Sequence, residues 1–234
     1  MTKKVIGVLL SAVLLMVNCS TAQNKISTKQ KEVTEIAIYR IAEEKNPQID
    51  FLLTDFRNEV SKLKGYKDYL TLQDKNSPNI YIDILHWENI EDALNASGIV
   101  KDGNIYKPFT SSIDSLIAYG EFFQYKSFYK SKKENTMENK ITEVVIYQLK
   151  SDKVKGYETI ANATNEFLNK QKGFISRKIM QDHKDKTIFM DIVEWKNISD
   201  AQSAMEVSQK EASLMPFFEA TEKVVSFSHY NFFK

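Results

Sequence analysis

The stretch IFMDIVEWKNISDA, residues 188–201, restates IYIDILHWENIEDA, residues 80–93. Trp87 and Trp195 are the two tryptophans, and their separation, 195 − 87 = 108 residues, brings the rest of the chain into register too. At that offset Thr34-Glu35 falls on Thr142-Glu143, Tyr39 on Tyr147, Gly65 on Gly173, Gln73-Asp74 on Gln181-Asp182 and Pro108-Phe109 on Pro216-Phe217, without a gap. A chain of 234 residues, 42% of them hydrophobic, can bury one large core or two small ones. A gap-free internal repeat decides for two similar halves.

Within each copy the hydrophobic period switches in the same order. Thr34 to Ile41 and Thr142 to Leu149 alternate and are rich in β-branched and aromatic residues, which predicts strands. A helix follows: Asn46-Pro47 reads as an N-cap with proline at the first helical position, and Ile49, Leu52, Phe56, Val60 and Leu63 recur at three- and four-residue steps before Gly65 ends it. Val154, Tyr157, Ile160, Ala161, Thr164 and Leu168 repeat that stripe before Gly173. A hairpin comes next, with turns DKNSP and DHKDK, and ends at each tryptophan; Asn89 and Asn197 then stand where a second helix needs a cap. A short helix near Pro108 or Pro216 and a final aromatic strand, Leu116 to Phe128 or Val224 to Phe233, close each copy. This order is α+β: two tandem ferredoxin-like, split βαβ domains at residues 33–128 and 141–234, with the charged, aperiodic YKSKKENTMENK of residues 129–140 as linker. Packing the two sheets face to face hides the apolar face of each, which predicts an intramolecular dimeric α/β barrel in which one copy is the other's partner.

Residues 1–22 read as an export signal, with Lys3-Lys4, an apolar run from Val5 to Val17 and small residues Ser20-Thr21-Ala22 before Gln23. The run is too short for a membrane span. Cys19 offers a lipid anchor instead, although Asn18 and Met16 depart from the small and branched residues such a site prefers. Both readings place the protein outside the cytoplasm, periplasmic or secreted. Cys19 is the sole cysteine, so its removal with the leader would exclude disulfides, thiolate metal sites and cysteine nucleophiles. The 32 basic and 31 acidic residues are scattered, which leaves no electrostatic footprint for nucleic acid.

Asp83 and Asp191 each sit mid-strand in an apolar run, on one face with Trp87 and Trp195 respectively. A carboxylate there must be hydrogen-bonded, paired or protonated. It is either a pocket base or an acid held by a neighbouring Lys, Arg or Tyr. Trp87, Trp195, Tyr39 and Tyr147 either line a ligand pocket or fill the core. His86 and His229 lie in strands that can bring them together inside the barrel, whereas His183 falls in a turn; three scattered histidines make no metal site. A glycine-rich phosphate loop, a serine elbow and a paired-cysteine motif are all missing, which removes nucleotide-dependent and common hydrolytic chemistry.

The acidic-aliphatic strand ending in tryptophan, DILHW and DIVEW, the capped helix after it and the Pro-Phe before the last helix together resemble the antibiotic biosynthesis monooxygenase family. That family is one branch of the dimeric α+β barrel proteins, and the resemblance covers most of residues 33–128 and 142–233. It implies oxidation of phenolic or quinol substrates without metal or flavin, hence no cofactor. Haem-degrading relatives use a first-strand asparagine and a histidine on the helix shortly before the Pro-Phe; TEIAIYRI and TEVVIYQL contain no asparagine, and no histidine lies between Asn95 and Pro108 or between Ser203 and Pro216, so only Trp87 and Trp195 match. The expectation is an exported protein that binds a small apolar or aromatic molecule and acts as a cofactor-independent monooxygenase. Asp83 and Asp191 would be its bases, and Trp87, Trp195, Tyr39, Tyr147, His86 and His229 would line its ligand sites. A non-catalytic ligand-binding or stress-related envelope protein of the same fold is the alternative.

Overall fold

The computed structural model describes residues 31–130 and 140–233. The expected export segment with Cys19, and residues 131–139 of the expected linker, lie outside the described residues. The elements run β1 (Val33–Ile41), α1 (Ile49–Val60), β2 (Tyr66–Asp74), β3 (Ile80–Trp87), α2 (Ile90–Asp102), α3 (Lys107–Thr110) and β4 (Ile113–Tyr129). The same order follows as β5 (Ile141–Leu149), α4 (Tyr157–Lys170), β6 (Phe174–Asp182), β7 (Ile188–Trp195), α5 (Ile198–Ser208), α6 (Met215–Ala220) and β8 (Thr221–Phe232). Tyr129, the first residue of the expected linker, thus completes β4.

The eight strands close into one antiparallel barrel in the order β1-β3-β2-β8-β5-β7-β6-β4. Each half contributes a four-stranded sheet, and two seams join them. The β4–β6 seam runs from Phe122↔Asp182 to Tyr129↔Ser176, whereas β2–β8 pairs only Leu72 to Asp74 with Phe232 to Tyr230. The inward faces are mainly apolar: Ile36, Ile38, Ile82 and Ile84 meet Val144, Ile146, Met180 and Met190 in one cluster. The lumen is therefore packed core, as expected for sheet-on-sheet burial. With the lumen filled, strand alternation sends Asp83, Trp87, Asp191 and Trp195 to the outer face, beneath the helices.

The start of α1 differs from the sequence expectation. Asn46 and Pro47 belong to a 3-10 turn, Glu43–Gln48, and α1 begins only at Ile49, with no side-chain cap. Asn46 instead turns its Oδ1 toward β3 and accepts from the Tyr81 hydroxyl at 2.9 Å. A buried phenol that needs an acceptor outcompetes an exposed helix end that water can satisfy. The second helix of each half starts as expected. Asn89 and Asn197 accept from the backbone N–H of Asp92 and Asp200, both at 2.9 Å.

Gly65 and Gly173 adopt φ of 78° and 74°. Each lies against the carboxyl of the capped helix, where an added Cβ would come within 2.5 Å of Asp92 Cβ or 2.3 Å of Asp200 Oδ2. Left-handed backbone and lack of space both demand glycine here. Gly65→Ala and Gly173→Ala should each destabilise the chain by about 2 kcal/mol or more in urea unfolding. A loss below about 0.5 kcal/mol would show that the close approach relaxes freely.

Candidate functional sites in the two halves

Each half encloses a cavity between the outer face of its sheet and its helices. The first, about 330 Å3, is lined by Glu35, Ala37 and Tyr39 of β1, Asp83, Leu85 and Trp87 of β3, and residues of the helices and β4. The second, about 380 Å3, is lined at the matching positions by Glu143, Val145, Asp191, Val193 and Trp195. The tryptophans are 1% exposed and pack with their helices, so they act as both core and cavity wall.

In the first half Asp83 is 3% exposed. Its Oδ1 accepts from Thr71 Oγ1 and its Oδ2 from Tyr69 Oη, both at 2.6 Å. Burial raises its pKa to about 6, against these hydroxyls and the more distant charge of Arg57, which stacks over Tyr69. Beside it the Tyr39 hydroxyl is buried against Asp83, and burial together with Asp83's charge keeps that phenol protonated.

Glu35 stands on the same wall. It faces Glu121 directly across the β1–β4 ladder, and its Oε2 accepts from Trp87 Nε1 at 3.0 Å. Burial first, then the Glu121 charge, push Glu35 up to about 7, while the Trp87 indole and the Tyr119 hydroxyl oppose the shift. Glu121 is 2% exposed and meets Lys184 Nζ of the second half's hairpin at 3.3 Å. The first cavity therefore presents a carboxyl that titrates near neutrality against an apolar wall.

The second half resolves the same problem differently. The residue 108 positions after Tyr69 is Arg177, fully buried, whose Nε and Nη2 donate to Asp191 Oδ2 at 2.9 and 2.6 Å. Tyr147 Oη donates to Asp191 Oδ1 at 3.0 Å and joins Tyr157 Oη, and Arg177 Nη1 reaches the Ala161 carbonyl at 2.9 Å. Burial raises the pKa of the Asp191 carboxyl, against the opposing pull of the Arg177 guanidinium and the Tyr147 hydroxyl. Glu143 faces not a second acid but His229, whose Nε2 lies 3.0 Å from Glu143 Oε2. Trp195 Nε1, buried, has no partner.

These placements correct part of the sequence reading. His86 and His229 do not meet inside the barrel: His86 contacts Asp68 at a half-exposed strand end at 2.6 Å, while His229 holds Glu143 on the outer face of the other half. Neither is among the cavity-lining residues. Tyr147 likewise stands behind the second cavity, spent on Asp191. Among the described residues no cluster of three His, Cys, Asp or Glu side chains is spaced to hold a metal. Glu35, Glu121 and Arg177 were missed. A signal for Glu35 existed, since Thr34-Glu35 recurs as Thr142-Glu143 within an apolar strand.

No protein-family model matches the sequence, and no curated protein matches it. Solved structures do match the fold. An anthrone oxidase-like protein superposes with a TM-score of 0.66 at 11% identity, covering 88% of this chain and 93% of that one. A protein assigned as a monooxygenase from Fusobacterium nucleatum gives 0.60 at 11%, covering 88% and 94%. A mutant chlorite dismutase from Candidatus Nitrospira defluvii gives 0.63 at 8%, covering 88% and 93%. At such identities the likeness is one of fold, and the fold is the dimeric α+β barrel.

Two outcomes follow from these electrostatics. Removing the cation alone, Arg177→Met, strands a buried charge and should cost about 3–5 kcal/mol in urea unfolding, much of which Arg177→Met with Asp191→Leu should restore. Equal losses in single and double variants would place the defect in packing. The raised pKa of Glu35 gives the folded state the tighter grip on the proton, so its contribution is fully present below the ordinary pKa of 4.5 and is lost as pH rises through about 7. Unfolding free energy should fall by about 2 kcal/mol between pH 5 and pH 8 through this group. Glu35→Gln should flatten that fall, and an unchanged slope would refute the shift.

Proposed function

We propose that this chain is an exported protein whose first-half cavity binds a flat apolar or aromatic molecule and oxidises it with molecular oxygen, without metal or flavin. The observation that carries the reading is Glu35, a carboxyl titrating near neutrality on the wall of an apolar cavity, held by the Trp87 indole. A base does its work best when its pKa lies near the working pH. The substrate class that suits it is an electron-rich aromatic with a C–H made acidic by a neighbouring carbonyl, as in an anthrone. One of the fold neighbours is an anthrone oxidase-like protein, which points the same way.

Glu35 takes the proton from that carbon. Asp83, already holding Tyr69 and Thr71, keeps the wall in place. The carbanion's electron pair reduces molecular oxygen as a C–O bond forms, and the peroxide oxygen takes up a proton. Loss of the second C–H proton and cleavage of the O–O bond then release water and leave a ketone, so that one methylene and one dioxygen become one carbonyl and one water.

The opening residues 1–22 support export, with lipidation at Cys19 as the other route to the envelope, and the 108-residue repeat supports an origin by duplication and fusion. A second reading, a ligand carrier without chemistry, is favoured by the full occupation of both Asp83 oxygens by protein hydroxyls.

Anthrone with an oxygen electrode separates the two. The oxidase consumes one dioxygen per anthrone above the uncatalysed background, its rate rises with pH through about 7, and Glu35→Gln lowers kcat by about 100-fold or more. Anthrone that binds without oxygen uptake would establish the carrier; uptake indifferent to Glu35→Gln would remove Glu35 as the base.

A further inference from the structure

Each half fastens its hairpin turn to the last strand of the other half. The His183 N–H donates to the Glu121 carbonyl at 2.7 Å, and at the matching place the Lys75 N–H donates to the His229 carbonyl at 2.9 Å. An aspartate holds each turn from within: Asp182 Oδ1 accepts from the N–H groups of Lys184 and Asp185, and Asp74 Oδ1 from those of Asn76 and Ser77. With the backbone tied at these points, the side chain that follows is delivered to the neighbouring strand. On the β4–β6 seam it is Lys184, whose Nζ lies 3.3 Å from Glu121 Oε2. The pair at the equivalent positions is Asn76 and His229. The turn that reaches an acid thus carries a cation, and the turn that reaches a histidine carries a neutral amide.

Glu121 is one member of a facing pair, since Glu35 opposes it across the β1–β4 ladder. Two carboxyls so placed titrate together, and the one that carries the proton is the one whose charged form is less well served by its neighbours. Glu35 accepts from the neutral Trp87 indole at 3.0 Å and has a further acid, Asp83, on β3. Glu121, 2% exposed, has an ammonium. The remaining polar and charged groups around the pair are engaged or stand apart. The Tyr119 hydroxyl donates to Ser97 Oγ at 3.1 Å, and Lys101 of α2 belongs to the cavity wall. Lys186 donates to the Asp182 and His183 carbonyls at 2.8 and 2.6 Å and, like Lys31 ahead of β1, lies over the Phe123 ring, against which His183 packs edge-on.

We propose that Lys184, a residue of the second half, is a positioning residue for the site of the first: it holds the charge on Glu121 and so leaves the proton of the facing pair to Glu35. Its part in catalysis rests on the reading of Glu35 as a base. The placement of the proton does not, and it is measured without substrate.

The test follows the side-chain carboxyl carbons of the 13C-glutamate-labelled full chain by NMR from about pH 4 to about pH 9, with Glu35→Gln and Glu121→Gln to assign the two signals. The Lys184 side chain is 67% exposed and its turn is held through the backbone, so its replacement leaves the fold in place. In the unaltered chain the step through neutral pH should appear at Glu35 and not at Glu121. Lys184→Met should move about a third or more of that amplitude onto Glu121, whereas Lys184→Arg, which keeps the charge, should leave it at Glu35. No transfer in Lys184→Met, an equal transfer in Lys184→Arg, or an unaltered chain whose neutral step lies at Glu121 or at neither carboxyl would each overturn the proposal. Oxygen uptake plays no part in the readout. A chain that oxidises nothing can still show the transfer, and an active oxidase can still lack it, so the two readings fail separately.

Discussion

Neither four-stranded sheet in this chain can exist with its inner face in water. Ile36, Ile38, Ile82 and Ile84 on one side and Val144, Ile146, Met180 and Met190 on the other need each other, and closing the barrel is the arrangement that buries both sets and leaves no long strand edge. The mid-strand acids Glu35, Asp83, Glu143 and Asp191 then emerge on the outer face. There the helices cover it, and two cavities form at equivalent places. The chemistry of the protein is thus confined to the sheet–helix layer of each half by the packing of the lumen.

Within that layer three exchanges at equivalent positions separate the halves. Tyr69 and Thr71, which give Asp83 two hydroxyl donors, are matched by Arg177 and Ile179, and Glu121 is matched by His229. The first half therefore holds acids against acids and hydroxyls, which leaves a proton to be moved near neutral pH. The second half holds each acid against a base, Asp191 against Arg177 and Glu143 against His229, and leaves the buried Trp195 indole N–H without a partner. The backbone tolerates either solution because the exchanged side chains keep the same faces and the same ladder partners.

Much of the fold was legible from residues alone. Alternation in TEIAIYRI and TEVVIYQL marked first strands, Gly65 and Gly173 marked helix ends that need φ above zero, and Asn89 and Asn197 marked caps. These are local signals, in which the chain reports its own backbone preference. Asn46 misled because its value as a cap was local while its actual partner, Tyr81, lies 35 residues away. His86 and His229 misled for the same reason: which strands neighbour each other depends on barrel order, and that order put Asp68 and Glu143 beside them instead.

The sequence by itself determined the two-fold architecture, the strand faces and the presence of a repeated mid-strand aspartate beside a repeated tryptophan, because period and offset are carried by the order of residues. Only the tertiary structure decided that Asp83 meets hydroxyls while Asp191 meets a guanidinium, and that Glu35 faces Glu121 while Glu143 faces His229. The charge state of a buried carboxyl depends on the few groups within hydrogen-bonding reach and on the water excluded around it. Those neighbours are set by strand register and barrel closure, across separations of 12 to 86 residues.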